Sequence, residues 1–285
     1  MNFRFDIALP LSIICLAVLS LLLKDKYAHR FREALRGKEF KSKDAIILSA
    51  AIGVMVSLVA AVPSQALVIL FLSAYSLLLF QFSYLMRPKW PTSVLMPVLF
   101  LVLYFLFRDS VYWNPLILDV FAAIFAVLVS TFLGITFSWG AAVAFAVAIT
   151  AVDIFQVLYT GYMVMAFEKT IGLDLPVALI VPVVPLIPES DPLYPALPYA
   201  FSGLGLGDLS LVGLLVTKTA EKYGRGLGLA TALSMGISFF IFETLAMNFG
   251  GGFYPATVFV VSGWIIALFG KFIIGLVRPS PKEKT

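Results

Sequence analysis

The sequence predicts an all-α integral membrane protein, with nine transmembrane helices in one bundle. Sixty-one percent of its 285 residues are hydrophobic and only 13% are charged, whereas soluble domains average about 45–50% apolar residues. A spanning helix needs about 20 mostly apolar residues. The chain divides into nine such stretches, separated by short charged or Pro/Gly-rich breaks. A soluble fold is therefore excluded.

The predicted spans follow these stretches in chain order. We predict one domain, residues 1–285. Helices one to six cover about 7–166, and helices eight and nine cover about 226–276. Helices six and seven, with the loop that connects them, cover about 139–219 and carry the candidate catalytic residues. The first run ends Leu21-Leu22-Leu23-Lys24 without a small-residue cleavage site, so we expect it to remain in the mature protein. The nine spans are roughly 7–23, 45–62, 65–86, 92–107, 116–135, 139–166, 200–219, 226–248 and 255–276.

The distribution of Lys and Arg predicts which way the chain faces. Basic residues that flank spans are retained on the cytoplasmic side. With nine spans, seventeen of the twenty Lys and Arg residues fall on one side, and only Arg4, Arg108 and Lys169 fall on the other. This bias predicts an N-terminus outside and a C-terminus in the cytoplasm. Contact with anionic lipid heads explains the basic 24–44 loop, so no nucleic-acid partner is predicted.

The scarcity of cysteine and histidine limits the possible chemistry. Cys15 is the only cysteine and His29 the only histidine. Zinc hydrolysis and Ser–His or Cys–His catalysis normally need histidine beside other ligands or a nucleophile. We therefore predict no metal and no cofactor, and expect any reaction to depend on carboxylates.

Four acids, Asp119, Asp153, Asp208 and Glu243, lie within predicted spans, where a charged group is costly and usually functional. Asp153 and Asp208 are the two that could meet. Asp208 ends a glycine-rich segment at the start of helix seven, and Asp153 lies in helix six. We expect the two carboxylates to be close enough to share one water molecule. Two such acids hold one proton between them because their charges repel. The ionised acid can activate water while the protonated one hydrogen-bonds a peptide carbonyl and helps protonate the leaving amine. The sequence does not show which acid is protonated.

At these residues the chain resembles the presenilin and signal peptide peptidase family of intramembrane aspartyl proteases. The family's Gly-x-Gly-Asp motif is matched in full by Gly205, Leu206, Gly207 and Asp208. Asp153 takes the place of the family's first catalytic aspartate, with Val152 where tyrosine is usual. Nine helices is also the family's number.

A third motif, Pro-Ala-Leu at the start of the ninth helix, is present here as Pro255, Ala256 and Thr257. In the family this turn shapes the active site, and the threonine is a departure that puts substrate preference in question. The resemblance covers roughly residues 145–270, whereas helices one to five match only in number and hydrophobicity.

The resemblance also implies what the protein acts on. The predicted orientation is that of signal peptide peptidase, whose substrates are transmembrane segments in type II orientation, including remnant signal peptides. The short loops predict a single uncut chain in the lipid bilayer without obligate subunits. The absence of soluble appendages is typical of a prokaryotic plasma membrane, although an internal eukaryotic membrane remains open.

Between helices six and seven, residues 176–188 form an apolar segment that prolines prevent from spanning the membrane as a helix. Its composition favours extended structure. One hypothesis is that this segment pairs with an unwound substrate by strand addition, as the family suggests. The other is a re-entrant or interfacial plug. The candidate pairing residues are Val177, Ala178, Leu179, Ile180 and Val181.

Two other functions remain open from the sequence. A proton- or cation-coupled secondary transporter also uses paired acids and broken helices near the midplane, although no internal repeat is visible. A catalytically inactive membrane packing protein would keep the fold without the reaction. The motifs favour an intramembrane aspartyl endopeptidase that hydrolyses peptide bonds by a two-aspartate, activated-water mechanism.

Overall fold

The computed structural model describes residues 3–34, 37–110, 113–188, 197–250 and 252–277. Ten helices and one two-stranded sheet make up the described part of the chain. The helices are α1 Ala8–Ala34, α2 Ser42–Val59, α3 Ser64–Met86, α4 Trp90–Phe107, α5 Leu118–Thr136, α6 Trp139–Ile154, α7 Tyr162–Ile171, α8 Leu206–Tyr223, α9 Arg225–Phe249 and α10 Ala256–Val277. The strands are β1 Ala178–Pro182 and β2 Phe201–Gly205.

Most of these helices have the length and the apolar composition of membrane-spanning helices. Among the described residues, eight helices are long and apolar enough: α1 to α6, with α5 and α6 extended by π-helical turns, and α9 and α10. Their buried fraction is low, and many large apolar side chains point outwards, as expected for surfaces that meet lipid. The prediction of an all-α, multi-pass membrane protein is therefore confirmed.

Helix six does not run unbroken to residue 166, and this prediction was wrong. After α6, residues Phe155–Thr160 form a π-helical turn, and Gly161 adopts φ of 69°. This left-handed conformation favours glycine and ends the helix. The chain then restarts as the short helix α7. Hydrophobicity continues through the break, so the pattern alone did not reveal it.

Helix seven was also placed too early. Residues Phe201–Gly205 form β2, and α8 begins only at Leu206. Helix one differs in the opposite direction, since α1 continues past the predicted end at residue 23 to Ala34. Its last turns are charged, and apolarity does not define where such a helix ends.

Helix α8 is the centre of the bundle. It contacts α1, α5, α6, α9 and α10, and every residue from Leu209 to Thr219 is buried. Close packing depends on small residues: a Cβ at Gly213 would collide with Ser130 of α5. α8 is not among the eight apolar candidates, because four charged side chains interrupt it. It is shielded by its neighbours instead.

The outer helices attach to this centre in two groups. α2 packs along α6. α3 and α4 pack together and reach α5 through an aromatic cluster in which Tyr75 stacks on Phe125 with ring centroids 4.2 Å apart. Aromatic pairs of this kind contribute about 0.5–1.5 kcal/mol beyond the area they bury. The resulting scaffold fixes α5, α6 and α8, the helices around the candidate site.

At the Tyr223 end of α8, two buried lysines and a half-exposed arginine converge on one acid. Glu221 Oε2 accepts from Lys24 Nζ at 2.6 Å and from Lys218 Nζ at 2.7 Å, and its Oε1 accepts from Arg32 at 2.8 Å. The side chains of Lys24 and Lys218 are only 7% and 5% exposed. We call Lys24, Arg32, Lys218 and Glu221 the Glu221 cluster. It fastens α1 to α8.

Candidate active site

Asp153 lies in the last turn of α6, just before the π-helical turn. Its side chain is buried, with 5% exposure. Three residues further on, Gln156 donates to Gly53 O and, at 3.0 Å, to Ser57 Oγ of α2. The Gln156 contacts hold this part of the helix against α2. Asp153 itself contacts Thr257 of α10 and lines a cavity together with Asp208 of α8.

Asp208 lies in the first turn of α8, directly after β2. A carboxylate in this position is favoured by the partial positive charge of a helix N-terminus. Asp208 and Asp153 line the same cavity, from adjacent helices, although the two residues are 55 positions apart in the sequence.

Both carboxylates line one cavity of about 570 Å³. This volume is in the range of ligand-binding clefts, about 300–1,000 Å³. None of the described residues that line it is Lys, Arg or His. The two acids consequently have no basic partner in the cavity, unlike Glu221 at the other end of α8. The remaining walls come from α7, both strands and the start of α10.

The glycines before Asp208 have separate structural roles. A Cβ at Gly205 would lie 3.3 Å from Asp208 Oδ2, so a larger residue would crowd the carboxylate. A Cβ at Gly207 would meet nothing within 4 Å. Between them, the Leu206 N–H donates to Val177 O at 2.9 Å and fixes the start of α8 to the segment before β1. The motif therefore combines space at the acid with an anchor for its helix.

The predicted extended segment is a strand, β1, but its partner within the chain is β2. The strands are antiparallel, with Ile180 opposite Gly203. Val177 and Leu206 share a hydrogen bond, as do Val183 and Ala200. Residues that exchange hydrogen bonds with the partner strand alternate with residues that do not along an antiparallel pair. The N–H and C=O groups of Ile180 therefore point away from β2. On β2, Gly203 and Gly205 point away from β1.

Two acids that the sequence analysis did not assign to the site occupy the outer edge of β1. Asp119 Oδ1 accepts from the Ile180 N–H at 2.8 Å. Asp6 is fully buried, and its Oδ1 accepts from the Val184 N–H at 2.9 Å. Asp6 Oδ2 also accepts from Ser202 Oγ of β2 at 2.7 Å. These contacts hold both strands in place over the cavity.

A signal for these acids was present in the sequence. Asp6 precedes the first apolar run, a usual place for a capping residue, and it accepts from the N–H groups of Ala8 and Leu9 in the first turn of α1. Asp119 is an acid at the edge of an apolar span. Neither position indicated that its acid accepts hydrogen bonds at the edge of β1, because those contacts join distant parts of the chain.

The third motif meets the site at the start of α10. Ala256 lines the cavity. Thr257 is buried and touches Asp153: its Oγ1 donates to Asp153 Oδ2 at 2.7 Å, and its backbone N–H donates to the same oxygen at 3.3 Å. The residue that departs from the family's pattern is thus in direct contact with one of the two acids.

Other candidate groups stay outside this pair. Glu243 of α9 lies beside Asp6 and Ser202 and is not among the described residues that line the cavity. Within the described part of the chain, no three His, Cys, Asp or Glu side chains converge as a metal site. Cofactor-free chemistry remains a prediction.

The geometry therefore gives two carboxylates, Asp153 buried and Asp208 partly exposed, in one cavity of ligand-binding size. The strand β2 also lines this cavity and leads directly into the helix that carries Asp208. Comparisons with known proteins add nothing to this description: no protein-family model matches the chain, and no curated protein is found to be similar to it.

Proposed function

We propose that the protein is an intramembrane aspartyl endopeptidase. The observation that carries the proposal is the meeting of Asp153 and Asp208 in one cavity without a Lys, Arg or His among its described lining residues. An ionisable residue within a membrane is a functional candidate by default. Two acids that share one site are typical of aspartyl protease chemistry.

The reaction balances with these two groups and one water molecule. The ionised acid takes a proton from water as the water oxygen bonds to the peptide carbonyl carbon, and the protonated acid gives its proton to the carbonyl oxygen. As the C–N bond breaks, the first acid passes its proton to the amine. The second acid recovers a proton from the hydroxyl of the intermediate. The products are a carboxylic acid and an amine, and the pair returns to its starting state.

The strand β2 offers an edge with which an extended substrate could pair. The outer edge of β1 is already used by Asp119 and Asp6, so the predicted pairing through Val177–Val181 would have to displace them. Gly203 and Gly205 instead turn their backbone away from β1 and line the cavity that holds both acids. We propose that the substrate adds to β2, with β1 as its support. Backbone pairing would then place a peptide bond beside Asp208.

The proposal includes the finer topology. α8 would cross the membrane as the seventh of nine spanning helices, the N-terminus would face outside, and the C-terminus would face the cytoplasm, as the distribution of basic residues predicts. Substrates would be type II transmembrane segments or remnant signal peptides. The chain would act in a prokaryotic plasma membrane without obligate subunits.

Cleavage of a defined peptide tests the proposal. The purified protein in detergent is incubated with a fluorescent type II transmembrane peptide, beside Asp153→Asn and Asp208→Asn variants that elute as the same monodisperse species. We expect the wild type to cut the peptide and both variants to be inactive. In liposomes, charge-coupled uptake without cleavage would identify a transporter instead. A folded protein that shows neither activity would leave the packing-protein alternative.

A further inference from the structure

Thr257 gives Asp153 a set of donors that Asp208 does not share. Its hydroxyl and its backbone N–H both donate to Asp153 Oδ2, at 2.7 and 3.3 Å. Thr257 is only 3% exposed, so water does not compete for either bond. An oxygen that accepts two hydrogen bonds in a buried place is poorly suited to carry a proton itself.

Helix ends alone do not distinguish the two acids. Asp208 lies in the first turn of α8. Asp153 accepts a hydrogen bond from the backbone N–H of Thr257, the second residue of α10, and so lies at the N-terminus of that helix. Both carboxylates therefore receive the favourable field of a helix N-terminus, of comparable strength. The hydroxyl of Thr257 is the additional donor. A hydrogen bond to a charged acceptor is stronger than one between neutral groups.

We infer that Thr257 is a positioning residue that keeps Asp153 as the ionised general base and leaves the shared proton on Asp208. The inference rests on the proposed function and deepens it. Asp153 would take the proton from the attacking water, and Asp208 would donate to the peptide carbonyl oxygen. A leucine, which the resembling family has in this position, would keep the backbone donor but lose the hydroxyl.

The assignment has a consequence for the dependence of cleavage on pH. The titratable groups that share the cavity with Asp153 are Asp208 of α8, Glu168 of α7 and Tyr254 before α10. The helices α2 and α10 also pack against α6, which carries Asp153. Their residues 45–59 and 256–270 include no charged side chain that could affect Asp153. Without the Thr257 hydroxyl, Asp153 would ionise less readily, so the acidic limb of the kcat/KM profile would move to higher pH.

Three variants at this position separate positioning from packing. Thr257→Val keeps the shape and loses the hydroxyl, whereas Thr257→Ser keeps the hydroxyl and loses a methyl group. We expect the valine variant to lower kcat about ten- to a hundredfold, with KM changed less than about twofold. The serine variant should restore kcat and the position of the acidic limb. If the valine variant does not fold, Thr257→Ala takes its place with the same expectation.

An infrared measurement reports the proton directly. At neutral pH the C=O stretch of a protonated carboxyl should be lost in Asp208→Asn and retained in Asp153→Asn. Loss of that band only in Asp153→Asn would overturn the assignment. Unchanged kcat and an unchanged pH profile in the valine variant would also overturn it. These results leave wild-type cleavage intact, whereas failure of the proposed function would be absence of cleavage by the wild-type protein itself.

Discussion

The two ends of α8 both bury charged side chains, but they neutralise them differently. At the Tyr223 end, Glu221 is surrounded by Lys24, Lys218 and Arg32, each within 2.8 Å. At the Asp208 end, Asp208 shares its cavity with another acid, Asp153, and no Lys, Arg or His is among the described residues that line it. One end pairs an acid with bases, and the other places two carboxyl groups in one cavity.

This difference separates what the two ends do for the protein. A buried charge without its partner costs several kcal/mol, so the Glu221 cluster holds its helices together only while it is complete. Two neighbouring carboxylates are unfavourable by the same argument, and they persist where the rest of the fold enforces them. We therefore expect the Glu221 end to govern stability and the Asp208 end to govern chemistry.

The largest expected effect is on catalysis at the Asp208 end. Asp208→Asn should lower kcat at least about 10³-fold, because an amide cannot exchange a proton with the reacting peptide. Its free energy of unfolding should not fall, since a neutral amide of similar shape replaces a carboxyl group that is itself held protonated. Peptide cleavage and unfolding by a denaturing detergent measure the two quantities. Loss of stability equal to that of the next variant would break the comparison.

The second effect is on stability at the Glu221 end. Glu221→Gln should lower the free energy of unfolding by about 3 kcal/mol, because Lys24 and Lys218 remain buried without a counter-charge. This is the lower end of the expected range, since Glu221 is 35% exposed. The same detergent titration measures the loss. Cleavage per folded molecule should stay near the wild-type value, and a large drop in kcat would show that the two ends are not separate.

A third, smaller effect concerns the strand that supports the Asp208 end. Asp119→Ala should lower the free energy of unfolding by about 1–3 kcal/mol and reduce cleavage, because the Ile180 N–H loses its acceptor. Asp119→Asn is the matched control, since its amide oxygen can still accept this bond. Amide hydrogen exchange at Ile180 should accelerate only in the alanine variant. Equal exchange in both variants would mean that Asp119 does not hold the strand.

The smallest effect is expected at an exposed ion pair near the Glu221 end. Arg225 and Asp25 approach to 4.0 Å, with side chains 60% and 49% exposed. Arg225→Gln should change the free energy of unfolding by less than about 0.5 kcal/mol, because water screens such pairs. It therefore serves as the control for Glu221→Gln. An equally large loss in both variants would show that net charge, and not burial, determines stability at this end.

The sequence predicted the helices that face lipid better than those that form the site. Continuous hydrophobicity reveals a span, and most spans agree with the structure to within a few residues. The break at Gly161 and the strand Phe201–Gly205 interrupt apolar segments without changing their composition. Local conformation at these points is decided by backbone geometry and by pairing with distant residues.

The same limit applies to the candidate site. Asp153 and Asp208 were predicted as a pair because each is a costly acid within an apolar segment, and the structure places them together. Asp119 and Asp6 could not be predicted to hold β1, because their contacts are evident only once the position of that strand is known. The bond from Thr257 to Asp153 joins residues 104 positions apart, and no local pattern in the sequence indicates such a contact.

The burial of α8 from Leu209 to Thr219 also bears on how the protein is made. A segment enters a membrane from the translocon according to its own apolarity, and charged residues oppose entry, by about 2.5–3.5 kcal/mol for a Lys or Asp at the helix centre and by less towards the ends. α8 carries Asp208, Lys218, Glu221 and Lys222. We expect it to wait at the translocon until α9 emerges and to enter as a helical hairpin with it. Chains truncated after Tyr223 should then leave α8 uninserted, which a glycosylation-site reporter would detect.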